Sequence, residues 1–363
     1  MRVVLVGRAY ADPSQRGKLR ALAGLGCTVA AAVPASWRPH PDERRRQAAF
    51  GDDGGVRIYP VAVRRDRWDS RALARIITEF RPDLVQIEEE PWTRVAAALA
   101  RGARRHGYRV VLYSADSLPP PLPLVARLRR ARTVRRAAAV VGASRQAAAL
   151  LAAGRRALMQ VVVPATGVAP PLAVRREPAP GLTIGFVGRL VPEKGLDVLF
   201  RACVRLRGAW AVHVVGTGSS QEELEELAAR LGIAARVTWH GALPRESLEP
   251  LWAELDCLAL PSRTTPQWVE TRGRTALEAM AHAVPVVGSR SGVLPELLEG
   301  VGLVVPEDDV PALAAALQAL LDDPAERLRL GAESRRRVLA DYTDEAVARR
   351  TLALWRKALA ATA

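Results

Sequence analysis

Short apolar runs alternate along the chain with longer stretches whose apolar positions recur at helical spacing. That alternation predicts a parallel sheet with helices packed on it. Strands buried on both faces read as continuous apolar runs, and parallel neighbours need crossovers between them. In the first half the runs predict strands at Arg2–Val6, Thr28–Val33, Val56–Val63, Leu84–Ile87, Val110–Tyr113, Ala138–Val141 and Gln160–Val163. The stretch from Pro164 to Pro180 holds Pro164, Pro170, Pro171, Pro178 and Pro180; it disfavours helix and strand alike and reads as an interdomain linker. A second series follows, with strands expected at Thr183–Val187, Ala211–Val215, Arg236–Trp239, Cys257–Leu260, Pro285–Val287 and Leu303–Val305. Helices are expected at Val310–Leu321 and Pro324–Leu339, and a last one at Thr343–Ala360. Two doubly wound domains put ligand sites at the carboxyl ends of their strands.

The densest chemistry follows the predicted strand Cys257–Leu260. From Pro261 to Met280 the chain places Glu270 in a loop, Gly273 at a turn and Glu278 inside the next helix. Glycine there lets the backbone approach a ligand closely, and free amides at a helix N-terminus suit an anion or a hydroxyl-rich group. One carboxylate outside the helix and one inside it can hold two parts of an extended, polyhydroxylated ligand. Earlier, Gly188-Arg189 ends a strand and Lys194 stands at the start of a helix, so two cations and a helix N-terminus can meet a diphosphate. Lys194 is one of three lysines among 53 basic residues, which argues that a compact ammonium is wanted there. Gly216-Thr217 is a glycine turn at a further strand end, and His240 ends the next strand. In the first half, Glu88, Glu89 and Glu90 end a strand ahead of Pro91-Trp92, and Tyr113 to Ser117 end the strand after it.

The run Glu270-Thr271-Arg272-Gly273, then four residues and Glu278-Ala279-Met280, resembles the donor-site signature of retaining glycosyltransferases of family 4. The flanks Thr264–Trp268 and Pro285–Ser289 fit the same pattern, and Gly185–Leu190, Val215–Gly218 and Val237–Gly241 are similar to the family's diphosphate, nucleotide and base segments. Glu89-Glu90-Pro91-Trp92 resembles a turn of one branch of that family, as does Val33-Pro34 followed by Trp37. The resemblance covers nearly the whole chain and is strongest from Gly185 to Asp308.

It implies the GT-B fold, an α/β architecture of two Rossmann-like, doubly wound parallel-sheet domains facing a central cleft. Residues 1–170 would bind the acceptor, residues 171–342 the nucleotide-sugar, and residues 343–363 would form a helix crossing back to the first domain. The implied activity is metal-independent, retaining transfer of a hexose-type sugar from a nucleotide-diphosphate sugar to an acceptor hydroxyl, with no cofactor beyond that substrate. The acceptor would be a lipid-linked glycan, a polysaccharide or a small molecule. In this reading Arg189, Lys194 and Glu270 are catalytic. Gly188, Gly216, Thr217, His240, Arg272, Gly273, Arg274 and Glu278 bind the donor, with Glu278 on the ribose. Tyr10, Glu88, Glu89, Tyr113 and Asp116 are the acceptor-side candidates. The chain departs from the family in four places. Arg272 replaces an aromatic, Ala283 replaces a common glycine, Arg8–Asp12 replaces a glycine pair, and no histidine ends the Val110–Tyr113 strand. The altered positions Arg272 and Ala115 keep open a non-catalytic nucleotide-sugar-binding partner; a nucleotide-sugar 2-epimerase on the same fold is the other alternative, and the missing histidine argues against it.

Composition narrows the setting. The 363 residues suit two domains, and 49% apolar with 25% charged residues is ordinary for a globular protein. No apolar run reaches membrane-helix length, and the opening Met1–Gly7 reads as a strand and not as a signal peptide. Cys27, Cys203 and Cys257 are widely spaced in apolar contexts, as expected of buried thiols in a reducing, cytoplasmic compartment. The net charge of +15 rests almost wholly on arginine and accompanies abundant alanine, a pattern that codon bias produces. Basic residues are not interleaved with aromatics, so nucleic acid is not an expected partner. The cluster Arg127–Arg132 with Arg135-Arg136 suits a solvated helix face or a peripheral contact with the anionic inner face of a membrane.

Overall fold

In a computed structural model the chain forms two compact units, one of Met1–Gly167 with Asp344–Ala363 and one of Val168–Thr343. The structure describes all residues except 39–44, 65–66, 119–120, 154, 156–157, 165–166, 173, 175–176, 178–179 and 362–363. Pro178 of the proline-rich stretch lies outside the described residues.

The first unit contains β1 (Arg2–Gly7), β2 (Thr28–Pro34), β3 (Ser36–Trp37), β4 (Arg46–Gln47), β5 (Gly51–Asp52), β6 (Val56–Val61), β7 (Val63–Arg64), β8 (Arg67–Trp68), β9 (Leu84–Glu88), β10 (Arg109–Ser114), β11 (Ala139–Gly142) and β12 (Met159–Val162). Its helices are α1 (Gly17–Gly24), α2 (Ser70–Phe80), α3 (Arg94–Arg105), α4 (Leu124–Val134) and α5 (Arg145–Ala152). The main sheet runs β12-β11-β10-β9-β1-β2-β6-β5 and is parallel except at its edge, where β5 is antiparallel to β6. Both faces are covered, which is why its strands read as unbroken apolar runs. Val3 and Leu5 pack with Leu19 and Trp355 on one face; Val4 and Val6 pack with Leu73 and Leu99 on the other.

The strand expected to run to Val63 stops at Val61. Its parallel neighbour β2 ends at Pro34, the partner of Val61, so the next residues have no strand to pair with. The chain turns instead into the antiparallel pair β7–β8. The β3–β4 pair was not foreseen, since two-residue strands carry no alternation.

The second unit contains β13 (Leu182–Val187), β14 (Trp210–Val215), β15 (Val237–Gly241), β16 (Cys257–Leu260), β17 (Val286–Ser289) and β18 (Leu303–Val305), ordered β15-β14-β13-β16-β17-β18 and parallel throughout. Its helices are α6 (Leu196–Cys203), α7 (Gln221–Arg230), α8 (Glu249–Glu254), α9 (Arg274–Ala281), α10 (Leu294–Leu298), α11 (Val310–Asp322) and α12 (Pro324–Asp341). Ile184 and Phe186 pack with Leu199 and Leu313, and Leu258 and Leu260 pack with Leu277 and Leu294.

The terminal helix α13 (Asp344–Ala360) belongs to the first unit, where it packs on α1. Trp355 is fully buried there, and its Nε1 donates to Gln86 Oε1 on β9 at 2.7 Å. The two chain crossings lie side by side, because Val168 forms an isolated parallel bridge with Thr343. The proline-rich stretch is therefore anchored at Val168, which is buried. Each sheet has one switch point where the strand order reverses direction from its first strand. It lies between β1 and β9 in the first unit and between β13 and β16 in the second. Ligand sites of open α/β sheets form outside the carboxyl ends of the strands at such points.

Candidate active site

In the second unit, Lys194 follows β13 and Glu270 follows β16, so the two lie on opposite sides of the switch point. Lys194 Nζ is 2.6 Å from Glu270 Oε2, and the ammonium sits 4.8 Å from the centroid of the Trp268 ring. The lysine and glutamate side chains are 18% and 14% exposed, so the pair is only partly screened by water. The short turn Pro192–Lys194 that carries the lysine is fixed from the β16 side. Arg263 N donates to Glu193 O at 2.8 Å, Arg263 Nη1 donates to Pro192 O at 2.8 Å, and Arg263 Nη2 donates to Asp197 at 2.8 Å. Burial pushes the Asp197 carboxyl up, but hydrogen bonds from Arg263 and Arg201 outweigh it and hold it below its ordinary range. This brace is thus charged on both sides at neutral pH.

Beside that turn, the loops after β13 and β14 are hydrogen-bonded to each other. Gly188 N donates to Val215 O and Leu190 N to Thr217 O, both at 2.9 Å. Gly216 has φ +133, and a Cβ there would stand 1.9 Å from Gly188 O, so glycine is required by the loop contact itself. Between these pinned residues Arg189 is exposed, and its side chain makes no hydrogen bond or ion pair with the described residues. The result is an exposed guanidinium on a fixed backbone, as an anion site needs.

Gly273 is the N-cap of α9, with φ +57; no side chain caps the first turn. A Cβ at Gly273 would lie 2.2 Å from Leu297 Cδ1, so its side-chain face is packed against α10. Conformation and packing both require glycine there. Arg272, one residue earlier, is exposed. Glu278, one turn into α9, meets Arg274 Nε at 3.1 Å and also pairs with Arg245 from the loop after β15, both through Oε1. His240 lies in a bulge. Val214 pairs with Trp239 and Val215 with Gly241, which leaves His240 as the extra residue. Its Nε2 is 3.2 Å from His213 Nδ1, and burial together with His240 holds His213 below its ordinary range. Among the described residues no group of three or more His, Cys, Asp or Glu is placed to hold a metal ion.

The first unit repeats the arrangement at its own switch point. Arg8 and Tyr10 follow β1, and Glu88 to Glu90 lie at the end of β9. Arg8 Nε donates to Glu89 Oε1 at 2.7 Å. Glu88 Oε1 accepts from Tyr10 Oη and from Gln86 Nε2, each at 2.7 Å, and lies 3.5 Å from Lys18 Nζ. Lys18 is 2% exposed and sits over the rings of Tyr10 and Tyr113. Tyr113 Oη donates to Val163 O at 3.2 Å. Tyr10 and Tyr113 are thus buried, with their hydroxyls engaged inside the unit, and Glu88 is held by its neighbours. Asp116 is half-buried after β10.

Glu90 differs from its two neighbours. Its Oε1 accepts from Ser114 Oγ at 2.5 Å, while Oε2 is buried with no hydrogen-bond partner among the described residues. Burial, with Asp116 and Glu89 adding to it, raises the Glu90 carboxyl from 4.5 to about 7 despite the Ser114 hydrogen bond and Arg130. Sequence reading passed over it in favour of Glu88 and Glu89, because three consecutive glutamates give no sign of which one lacks a partner. Arg245 was passed over as well, and Trp268 was read only as part of a flank, since the contacts that single them out, with Glu278 and with Lys194, join segments apart in the chain.

Comparison with known proteins follows the same division. A family model described as Glycosyl transferases group 1 matches residues 181–323, and one described as Glycosyl transferase 4-like domain matches residues 13–166. A GDP-mannose-dependent alpha-(1-6)-phosphatidylinositol monomannoside mannosyltransferase of Mycolicibacterium smegmatis is 39% identical over 163 residues, 43% of each chain. A D-inositol 3-phosphate glycosyltransferase of Kineococcus radiotolerans is 34% identical over 218 residues, 54% of this chain and 49% of that one. The matches therefore span under half the length of these relatives. Among solved structures, sucrose-phosphate synthase of Thermosynechococcus elongatus aligns over 100% of both chains with TM-score 0.74 at 21% identity. HepE of Anabaena in complex with UDP aligns over 98% of this chain and 100% of its own, with TM-score 0.75 at 17% identity. These likenesses establish the GT-B fold.

Proposed function

Because the chain belongs to glycosyltransferase family 4, the glycosyl transferases group 1, we propose that it transfers a hexose-type sugar from a nucleotide-diphosphate sugar to an acceptor hydroxyl, with retention and without a metal ion. The observation that carries this reading is the Lys194–Glu270 pair, set beside the exposed Arg189 at the switch point of the second unit. As the bond between the sugar C1 and the diphosphate oxygen breaks, negative charge gathers on the leaving group. Lys194, held by Glu270, and Arg189, carried on the pinned loop, would neutralise that charge, and a group that binds the transition state better than the ground state lowers the barrier. These two cations would supply the countercharge that a divalent ion supplies elsewhere, and Arg272 would add a third beside α9. When the diphosphate engages Lys194, the Glu270 carboxylate turns to the sugar hydroxyls. Glu278 offers Oε2 to the ribose hydroxyls, while Arg245 and Arg274 hold Oε1.

In this reading the acceptor proton passes to the departing phosphate oxygen, with no side-chain base required. The acceptor oxygen then forms its bond to C1 on the face the phosphate leaves. The family resemblance supports this front-face course. The relatives named for GDP-mannose make GDP-mannose the first donor to test, and those named for phosphatidylinositol mannoside and inositol phosphate point to a polyol-type acceptor. The arginines of α4 stand beside Leu124, Val125 and Leu128, which are 69%, 66% and 48% exposed, and this supports a peripheral contact with anionic lipid. None of the described helices is long and apolar enough to cross a membrane.

The test is product analysis by NMR with GDP-mannose and inositol phosphate in the presence of a chelator. The reading expects an anomeric configuration equal to that of the donor and a rate untouched by chelation. An inverted product, or a rate abolished by the chelator, would overturn those two parts of it.

A further inference from the structure

Three glutamates end β9, and two of them are satisfied within the unit. Glu88 is held by Tyr10, Gln86 and Lys18, and Glu89 by Arg8. Glu90 is the exception. One of its oxygens accepts from Ser114 Oγ, and the other is buried and without a hydrogen-bond partner among the described residues. Its position is also fixed. Thr93 Oγ1 and Thr93 N both donate to Glu90 O, at 2.8 and 2.9 Å, as Thr93 caps α3. Ser114 is fixed in turn, because it is buried and its Oγ accepts from Asp116 N at 2.9 Å. A buried carboxyl oxygen without a partner is costly to desolvate, and a ligand that completes its bonding removes that cost. The location agrees, since Glu90 lies at the carboxyl end of the sheet next to the switch point.

We propose that Glu90 Oε2 accepts a hydrogen bond from a hydroxyl of the polyol acceptor and that Ser114 positions the carboxyl for it. This rests on the glycosyltransferase reading and deepens it, because it assigns the acceptor contact to a residue distinct from Glu88 and Glu89. A hydroxyl donates to a carboxylate better than to a carboxylic acid, so acceptor binding follows ionisation of Glu90. Asp116 and Glu89 face the carboxyl and oppose that ionisation, whereas Ser114 and Arg130 favour it.

The test is calorimetric titration of the whole chain with inositol 3-phosphate, 2-deoxystreptamine and methyl α-mannoside across the neutral range, with GDP and UDP titrated alongside. The expected result is that at least one polyol binds the wild-type chain about tenfold more tightly at about pH 8 than at about pH 6. Glu90→Gln should bind it weakly at every pH. Ser114→Ala, which loses the hydrogen bond that favours the carboxylate, should move the transition to higher pH. A polyol whose affinity and pH response are the same in wild type and Glu90→Gln would overturn the assignment, as would the failure of every polyol to bind a chain that binds GDP or UDP. A wild-type chain that binds neither nucleotide would instead overturn the glycosyltransferase reading on which the assignment rests.

Discussion

Lys194 Nζ stands 2.6 Å from Glu270 Oε2, and the two residues arrive from opposite sides of the point where the second sheet reverses its strand order. The pair ties the turn after β13 to the loop after β16, and Trp268 covers one side of the ammonium. Replacing Lys194 with alanine leaves Glu270 partly buried without its counter-charge and removes a cation from the leaving group. Turnover should fall at least tenfold, about 1.4 kcal/mol or more in the barrier. Lys194→Arg should not restore it, because a planar fork does not replace a compact ammonium held between a ring and one carboxylate oxygen. Steady-state release of nucleoside diphosphate by both folded variants checks this; full activity in Lys194→Ala would remove the lysine from the mechanism.

Gly216→Ala should be destabilising through the loop contact. The new methyl would meet Gly188 O, and alanine is strained at φ +133. We expect a loss on the order of 2 kcal/mol, together with weaker nucleotide binding as the Arg189 backbone shifts. Chemical denaturation and calorimetry measure the two effects, and a variant as stable as wild type would show that the loops part at no cost.

Ala283 occupies the left-handed region with φ +55 at the end of α9. There Val284 N donates to Ala279 O and Ala283 N donates to Met280 O, the pattern of a helix stop that normally ends in glycine. Ala283→Gly relieves the Cβ strain at some cost in chain entropy. A net gain of about 0.5–1 kcal/mol is expected. A drop in melting temperature would contradict this.

How much of this could be read beforehand depends on range. The strand runs were legible because both sheets are buried on both faces, so hydrophobicity alone marks them. The Ala283 substitution was visible as a departure from glycine, and the positive φ gives it a physical meaning. The ends of β6 and the small antiparallel pairs were not legible, since they are set by where a neighbouring strand runs out. In the candidate site, the residue types at Arg189, Lys194, Glu270 and Glu278 were apparent from spacing. That Lys194 and Glu270 are bonded to each other was not, because the contact joins residues far apart in the chain. The same limit hid Glu90, whose distinction is the absence of a partner for one oxygen.

Glu90 also makes stability depend on pH. Its carboxyl is raised from 4.5 to about 7 in the folded chain. A raised carboxyl holds its proton more tightly when folded, so its contribution is fully present below about pH 4.5 and is lost as pH rises through about 7. Glu90→Gln lacks that titration and should gain on wild type across this window by up to about 3 kcal/mol. Melting curves of the two proteins from acid to mildly alkaline pH decide it; parallel curves would mean that Glu90 ionises normally.

The central claim is that the second unit binds and activates a nucleotide-diphosphate sugar, and the most direct test is mass-spectrometric detection of slow donor breakdown without acceptor or metal. A panel of GDP-, UDP-, dTDP- and ADP-sugars would be incubated with the wild-type chain and with Lys194→Ala. The account predicts release of one nucleoside diphosphate by the wild-type chain, GDP first among the candidates, and at least a tenfold slower release by the variant. No release from any sugar, together with no calorimetric binding of any of the four nucleotides, would contradict it.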